Sequence, residues 1–212
     1  MTYCLFSLVP LFSHRLLPPL YSFAATATVE AAISLKYGVA PPVLSEQILI
    51  DCIDAAYGCD GGWATDAFAF MKTTAKGAVE TSSYGRYQEE QGECRKASVD
   101  KPKYSLASWQ ESGGSDKVLY SYLTKGAVGV AIDADTIVFY KGGIVRAGNN
   151  CTQEINHAVT VVGANTDAAG VKHWIVRNSW GADWGEQGYF RMQATGGNLC
   201  GIHETAQLPI VA

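Results

Sequence analysis

No Cys-x-x-Cys pair occurs among the six cysteines of this 212-residue chain, and they stand too far apart for a zinc knuckle. No metal and no cofactor are therefore expected. Like-charged runs are also missing: "QEEQGECRK" mixes signs and reads as a solvated loop. With 16 Lys and Arg against 20 Asp and Glu, the net charge of −4 supplies no basic field for nucleic acid. The apolar opening "MTYCLFSLVPLF" is too short to span a bilayer. It has no basic flank, and His14 and Arg15 interrupt it before any small-residue cleavage site, so it makes no convincing signal peptide. Internal repeats and low-complexity segments are absent too. Nucleic acid and membrane drop out as expected partners.

What is present describes a folded globular protein, with 48% hydrophobic and 17% charged residues. The length suits one domain or two closely packed lobes. The first half reads as helices. Pro18 and Pro19 suit a helix start, Phe23, Ala27, Val29, Ile33 and Leu35 supply an apolar face, and Gly38 ends the run. Ser45 caps "SEQILIDC", Thr65 opens "DAFAFMKTTAK" up to Gly77, and Ser115 opens "DKVLYSYLTK" up to Gly126.

The second half reads as strands: "AVGVAID", "NHAVTVVG", "KHWIVRN" and "GYFRMQ". Helices followed by strands imply an α+β fold, with a helical lobe, a β-rich lobe and a substrate site expected between them. An even cysteine count favours disulfides and an oxidising or lysosome-like compartment, with fifteen connectivities open. "NCT" at Asn150 to Thr152 is a glycosylation acceptor pattern, short enough to recur by chance.

Four local patterns carry candidate chemistry. "NHAVTVVG" puts His157 at the head of an apolar strand, and "VRNSWGADWGEQGYFRM" puts Asn178 at a strand end before Trp180 and Trp184. "GCDGGW" supplies Gly61, Gly62 and Trp63, and "SEQILIDC" is an amphipathic helix. Singly, each has an ordinary structural reading. In this order they resemble the papain family of cysteine peptidases, which includes the lysosomal cathepsins, from Tyr21 to the C-terminus.

That resemblance implies a papain-like two-lobe fold, with a helical left lobe, a β-barrel-like right lobe and the active site between them. It implies that residues 21–212 form the peptidase domain and residues 1–20 a divergent segment. By resemblance His157 is the catalytic general base and acid, and Asn178 orients its imidazole. Trp180 shields that pair from water. The implied substrate-binding set is Gly61, Gly62, Trp63, Ala64, Asn156, Trp180 and Thr205. Gly61 and Gly62 form an edge for an extended peptide or protein substrate. Thr205 forms the floor of the main specificity pocket, with Trp63 and Ala64 as its other wall. Asn156 stands where many relatives have Asp. A monomer in a lysosomal or extracellular setting is expected. The implied disulfides are Cys52 with Cys94 and Cys151 with Cys200. Cys59 is left unpaired unless Cys4 takes it, so two free thiols are expected.

One departure is decisive for activity. The family carries its nucleophile in a Gln-x-x-Cys-Gly-x-Cys-Trp-Ala-Phe run at the start of the long helix. Alignment of Phe23 on the Phe places Leu20 at the nucleophile, Leu17 at the disulfide cysteine and His14 at the oxyanion glutamine. Leucine cannot attack a carbonyl. Ser22 lies about 200° around a helix from Leu20 and should face the core. Cys4 is too far upstream to place. Two readings stay open: a cysteine endopeptidase whose first twenty residues are truncated or mis-started here, and a non-catalytic pseudoenzyme that binds peptides or a protein partner.

Overall fold

The computed structural model describes residues 2–3, 19–54, 56, 58–95, 102–148, 150–194 and 197–212. It divides into two compact units, one ending at Trp109 and joined by Pro209–Ala212, the other spanning Gln110–Leu208.

The first unit is built on helix α1, Leu20–Tyr37, which follows Pro19 and ends at Gly38 in the left-handed region (φ 64°). Tyr21, Ala25, Val29 and Ile33 recur every fourth residue and are all buried, so they form one stripe toward the core. Leu35, expected on that face, is 65% exposed. It stands two residues past Ile33, about 200° around the axis, so it points away. Buried hydroxyls are satisfied within the helix: Ser22 Oγ donates to Pro19 O at 2.6 Å and Thr28 Oγ1 to Ala25 O at 2.9 Å. The core-facing expectation for Ser22 holds, since it is 0% exposed.

Helix α2, Glu46–Cys52, starts from Ser45, whose Oγ accepts the Ile48 N–H at 3.4 Å. Helix α3 spans Ala64–Thr73, one residue earlier than the expected Thr65 start, because the Asp66 carboxylate accepts the Trp63 N–H at 3.2 Å. It also stops ahead of Gly77: the N–H groups of Thr74 and Ala75 both close onto Phe70 O. A short helix α4, Thr81–Tyr84, and paired two-residue strands β1, Thr2–Tyr3, and β2, Glu90–Gln91, complete the unit. Phe68, Leu49, Ile48 and Tyr84 join the α1 stripe in one apolar cluster.

The second unit holds helix α5, Asp116–Leu123, capped by Ser115 Oγ on the Val118 N–H at 3.2 Å. The sheet strands are β3 (Leu106–Ser112), β4 (Val128–Ile132), β5 (Ile144–Val145), β6 (His157–Thr166), β7 (Lys172–Arg177), β8 (Tyr189–Gln193) and β9 (Ala206–Val211), with the start of β3 and the end of β9 belonging to the first unit. Their order is β3-β9-β4-β6-β7-β8-β5. The antiparallel register aligns Val128, Val161, Val176 and Phe190 across four neighbouring strands. All four are 0% exposed, which fixes this register, since a one-residue slip would turn the row to the opposite face. Strands β3 and β9 were absent from the sequence expectation. "LASWQES" lacks apolar alternation, and Pro209 marks β9 as a poor strand candidate.

The pairings Cys52–Cys94 and Cys151–Cys200 are present as expected. The free-thiol expectation is overturned. Cys59 is disulfide-bonded, and no described cysteine is free. Cys4, the remaining cysteine of the six, lies outside the described residues, as do Leu17 and His14.

Candidate active site

His157 opens β6 and pairs across to Ile132 of β4, which buries its ring to 5% exposure. Asn178 follows the last residue of β7, and its backbone N–H bonds Gly188 O at 2.9 Å. Because β6 and β7 are antiparallel neighbours, the head of one meets the tail of the other. His157 Nε2 lies 2.8 Å from Asn178 Oδ1.

That same oxygen accepts the Ser179 backbone N–H at 2.8 Å. A backbone N–H can only donate, so the atom facing His157 is the amide oxygen, and Nε2 must carry the proton. This assigns the tautomer and leaves a lone pair on Nδ1, which is buried without a partner among the described residues. Asn178 Nδ2 and Ser179 Oγ are likewise buried and unpartnered among the described residues. Unmet buried polar groups cost about 1–3 kcal/mol each. Thr136 Oγ1 and Trp174 Nε1 are also buried and unpartnered among the described residues, so what sets His157, Asn178 and Ser179 apart is that their three atoms belong to one hydrogen-bonded group.

Trp180 stacks on His157, with ring centroids 4.7 Å apart and planes at 29°. Trp184 meets Trp180 edge-on at 5.1 Å and is anchored by its indole N–H to Val138 O at 3.0 Å. The indole covers the imidazole and keeps the His157–Asn178 bond in a low-dielectric setting, where it is stronger. Burial pushes the His157 pKa down from 6.5 to about 4, against a smaller opposing pull from Asn178. The ring is neutral at pH 7.

Asn156 is half-buried and bonded to the turn after β4. Its Oδ1 accepts the Ala134 N–H at 2.9 Å and its Nδ2 donates to Asp135 Oδ1 at 3.0 Å. Beside it lies a carboxylate that no sequence pattern announced. Asp133 is 3% exposed and accepts from the Thr152 N–H at 2.6 Å, the Thr152 hydroxyl at 2.7 Å and the Asp135 N–H at 3.0 Å. Burial alone would raise its pKa, but the bonds from Thr152 and Asp135 outweigh that and hold it below the ordinary value. Together these bonds fix the turn after β4 and the approach to His157. Thr205 Oγ1 accepts the Ala131 N–H at 3.1 Å.

In the other unit Leu20 is the first residue of α1 and is 5% exposed. Its neighbour Tyr21 packs against Gly62: a Cβ at position 62 would come within 3.1 Å of Tyr21 Cε1 and 2.9 Å of Ala56 Cβ, so the position accepts only glycine. Gly61 has φ 123°, open to glycine alone in practice. Trp63 is 50% exposed, and Ala64 is buried at the start of α3. Among the described residues no cluster could hold a metal, and no helix is long and apolar enough to cross a membrane.

A family profile described as papain family cysteine protease matches residues 20–210. Fruit bromelain of Ananas comosus is 35% identical over 186 residues, covering 86% of this chain and 51% of that protein. Cathepsin L of Sarcophaga peregrina is 34% identical over 198 residues, covering 90% of this chain and 57% of that protein. The solved structure of the bromelain protease from Ananas comosus in complex with the E64 inhibitor superposes with a TM-score of 0.82 at 34% identity. That match covers 90% of this chain and 88% of the solved one. Digestive procathepsin L 3 of Tenebrio molitor larval midgut gives 0.80 at 33%, covering 99% of this chain and 73% of the solved one.

The fold is thus the α+β, papain-like two-lobe fold. The chain belongs to the papain family of cysteine proteases. It spans about half the length of the relatives it matches.

Proposed function

We propose that this chain is a cysteine-peptidase framework that retains the base and its orienting residues, and that it does not cleave peptides in the sequence as it stands. The observation that carries this reading is His157, held by Asn178 through Nε2, roofed by Trp180 and left with a free lone pair on Nδ1. An imidazole so arranged is suited to take a proton from a nucleophile and return it to a leaving group. The family resemblance puts Leu20 at the nucleophile, and a leucine has no proton to give and no lone pair to attack with.

In this reading residues 21–212 are the peptidase domain and residues 1–20 a replaced or mis-started segment. Gly61 and Gly62 hydrogen-bond an extended peptide, and Trp63, Ala64 and Thr205 wall its main pocket. Trp180 and Asn156 complete the substrate-binding set, with Trp180 also shielding the His157–Asn178 pair. The protein acts as a monomer in a lysosomal or extracellular setting, which the two disulfides favour.

The test is incubation with extended fluorogenic peptides and with a thiol-directed epoxide. No turnover and no covalent adduct are expected. Cleavage that disappears in His157→Ala would overturn the assignment of Leu20. The second reading, a pseudoenzyme that binds peptides or a partner, is favoured by the intact Gly61–Gly62 edge. Genomic sequence upstream of residue 1 separates the two: an in-frame Gln-x-x-Cys-Gly-x-Cys-Trp run supports the peptidase, and its absence supports the pseudoenzyme.

A further inference from the structure

We infer that Asn150 is an acceptor for an N-linked glycan, and that the sugar is attached before the loop around Cys151 folds. Asn150-Cys151-Thr152 is the only Asn-x-Ser/Thr sequence in the chain with a non-proline middle residue. Asn150 is solvent-exposed, with its backbone at φ 57°. Beside it lies an open depression of about 340 Å³ walled by Gly148, Gln153, Asn198 and Leu199, which leaves room for the first sugar ring. The compartment in which Cys151 and Cys200 are oxidised is one where such glycans are added.

The order follows from the other two residues of the triplet. A transferase that reads Asn-x-Thr needs the threonine hydroxyl as well as the amide. In the fold that hydroxyl has its one proton committed: it donates to the buried Asp133 carboxylate at 2.7 Å, and it also accepts the Glu154 N–H at 3.1 Å. The Thr152 N–H is tied to the same carboxylate at 2.6 Å, and the residue between is tethered to Cys200. The folded triplet cannot straighten to present both groups together.

The step itself is a displacement. The Asn150 Nδ2 forms a C–N bond to the anomeric carbon of a lipid-diphosphate-linked oligosaccharide. The C–O bond to diphosphate breaks, the lipid diphosphate leaves with the electron pair, and the amide proton passes to a base of the transferase.

Asn also tolerates the left-handed backbone, so its presence alone could be conformational. Asn150→Gly separates the two roles, because glycine keeps the backbone and removes the acceptor. The full chain behind a secretory leader is expressed in a eukaryotic host, and whole lysate is treated with N-glycan amidase, so that retention of misfolded chains hides nothing. Mass spectrometry should find Asn150 converted to Asp on glycan removal, with complete loss of the mass change in Asn150→Gly. An unmodified wild-type chain overturns the site. For the order, chain made in a host without N-glycosylation is offered to the transferase and its lipid-linked donor, folded or reduced and unfolded. Only the unfolded chain should be modified; equal modification of the folded, oxidised chain overturns the order.

Discussion

Asn178 grips His157 by Nε2, across 2.8 Å, and thereby leaves Nδ1 as the open nitrogen of a buried ring. The amide cannot turn over, because the Ser179 N–H holds its oxygen in place. Replacement of Asn178 by Ala leaves the Nε2 proton buried without an acceptor, a loss of about 1–3 kcal/mol in stability. Nitrogen NMR of the imidazole should show a single Nε2–H tautomer in the wild type and a mixture in Asn178→Ala. An unchanged tautomer in the variant would mean that some other group fixes the ring.

Acid should destabilise this fold in two separate windows. The folded pKa of His157, about 4, lies below its ordinary 6.5, so the unfolded chain binds more protons between those values. Stability therefore falls as pH drops from 6.5 toward 4, by on the order of 3 kcal/mol. His157→Gln should flatten that window in denaturant titrations at fixed pH.

Asp133 acts lower. Its folded pKa is depressed below the ordinary 3.8, so its contribution is full above that value and disappears as pH falls through the folded pKa. Thr152→Val removes one donor and should cost about 1–3 kcal/mol at pH 7, with a smaller difference from wild type in strong acid.

How much of this was legible in the sequence depended on range. The His157, Asn178 and Trp180 cluster could be read because each sits in a short motif whose residues are contiguous. Helix ends were legible where one residue acts alone, as Gly38 does by its left-handed backbone and Ser45 by its cap. Asp133 and Thr152 were invisible: their bond joins residues 19 apart through a turn that only the β4–β6 pairing brings together. Ser179 was missed because its contribution is a backbone N–H, which any residue would carry. Cys59 was expected to be free because the family's partner position holds Leu17, and a family pattern cannot say which cysteine replaces a lost one.

The disulfides give a direct chemical test. Denatured without reductant, Cys52, Cys59, Cys94, Cys151 and Cys200 should show no reactivity toward a thiol reagent, because all five are bonded. Replacing Cys151 and Cys200 together by Ser opens a loop with a sequence separation of 49 and should lower stability by about 4 kcal/mol on the loop-entropy account. Alkylation of Cys59 before reduction would contradict the pairing.

Catalysis can be rebuilt in steps, and the steps should be unequal. A cysteine at position 20 would sit at the first turn of α1, where the helix dipole favours a thiolate. Leu20→Cys alone should still restore little turnover. The family stabilises its tetrahedral oxyanion with the nucleophile's own N–H and a glutamine side chain, and the proposed alignment puts His14 at the glutamine position. Loss of one such donor typically lowers turnover about 10²–10³-fold. Replacing residues 1–20 with a complete family segment, thiol and glutamine included, should therefore exceed Leu20→Cys by about that factor. His157→Ala in the rebuilt enzyme should abolish the gain. In peptide libraries it should prefer a medium apolar or aromatic side chain two residues before the cut bond, since Thr205 is small and carries no charge to pair with Arg. Equal activity of Leu20→Cys and the fully rebuilt chain would show that the first nineteen residues hold no missing catalytic group.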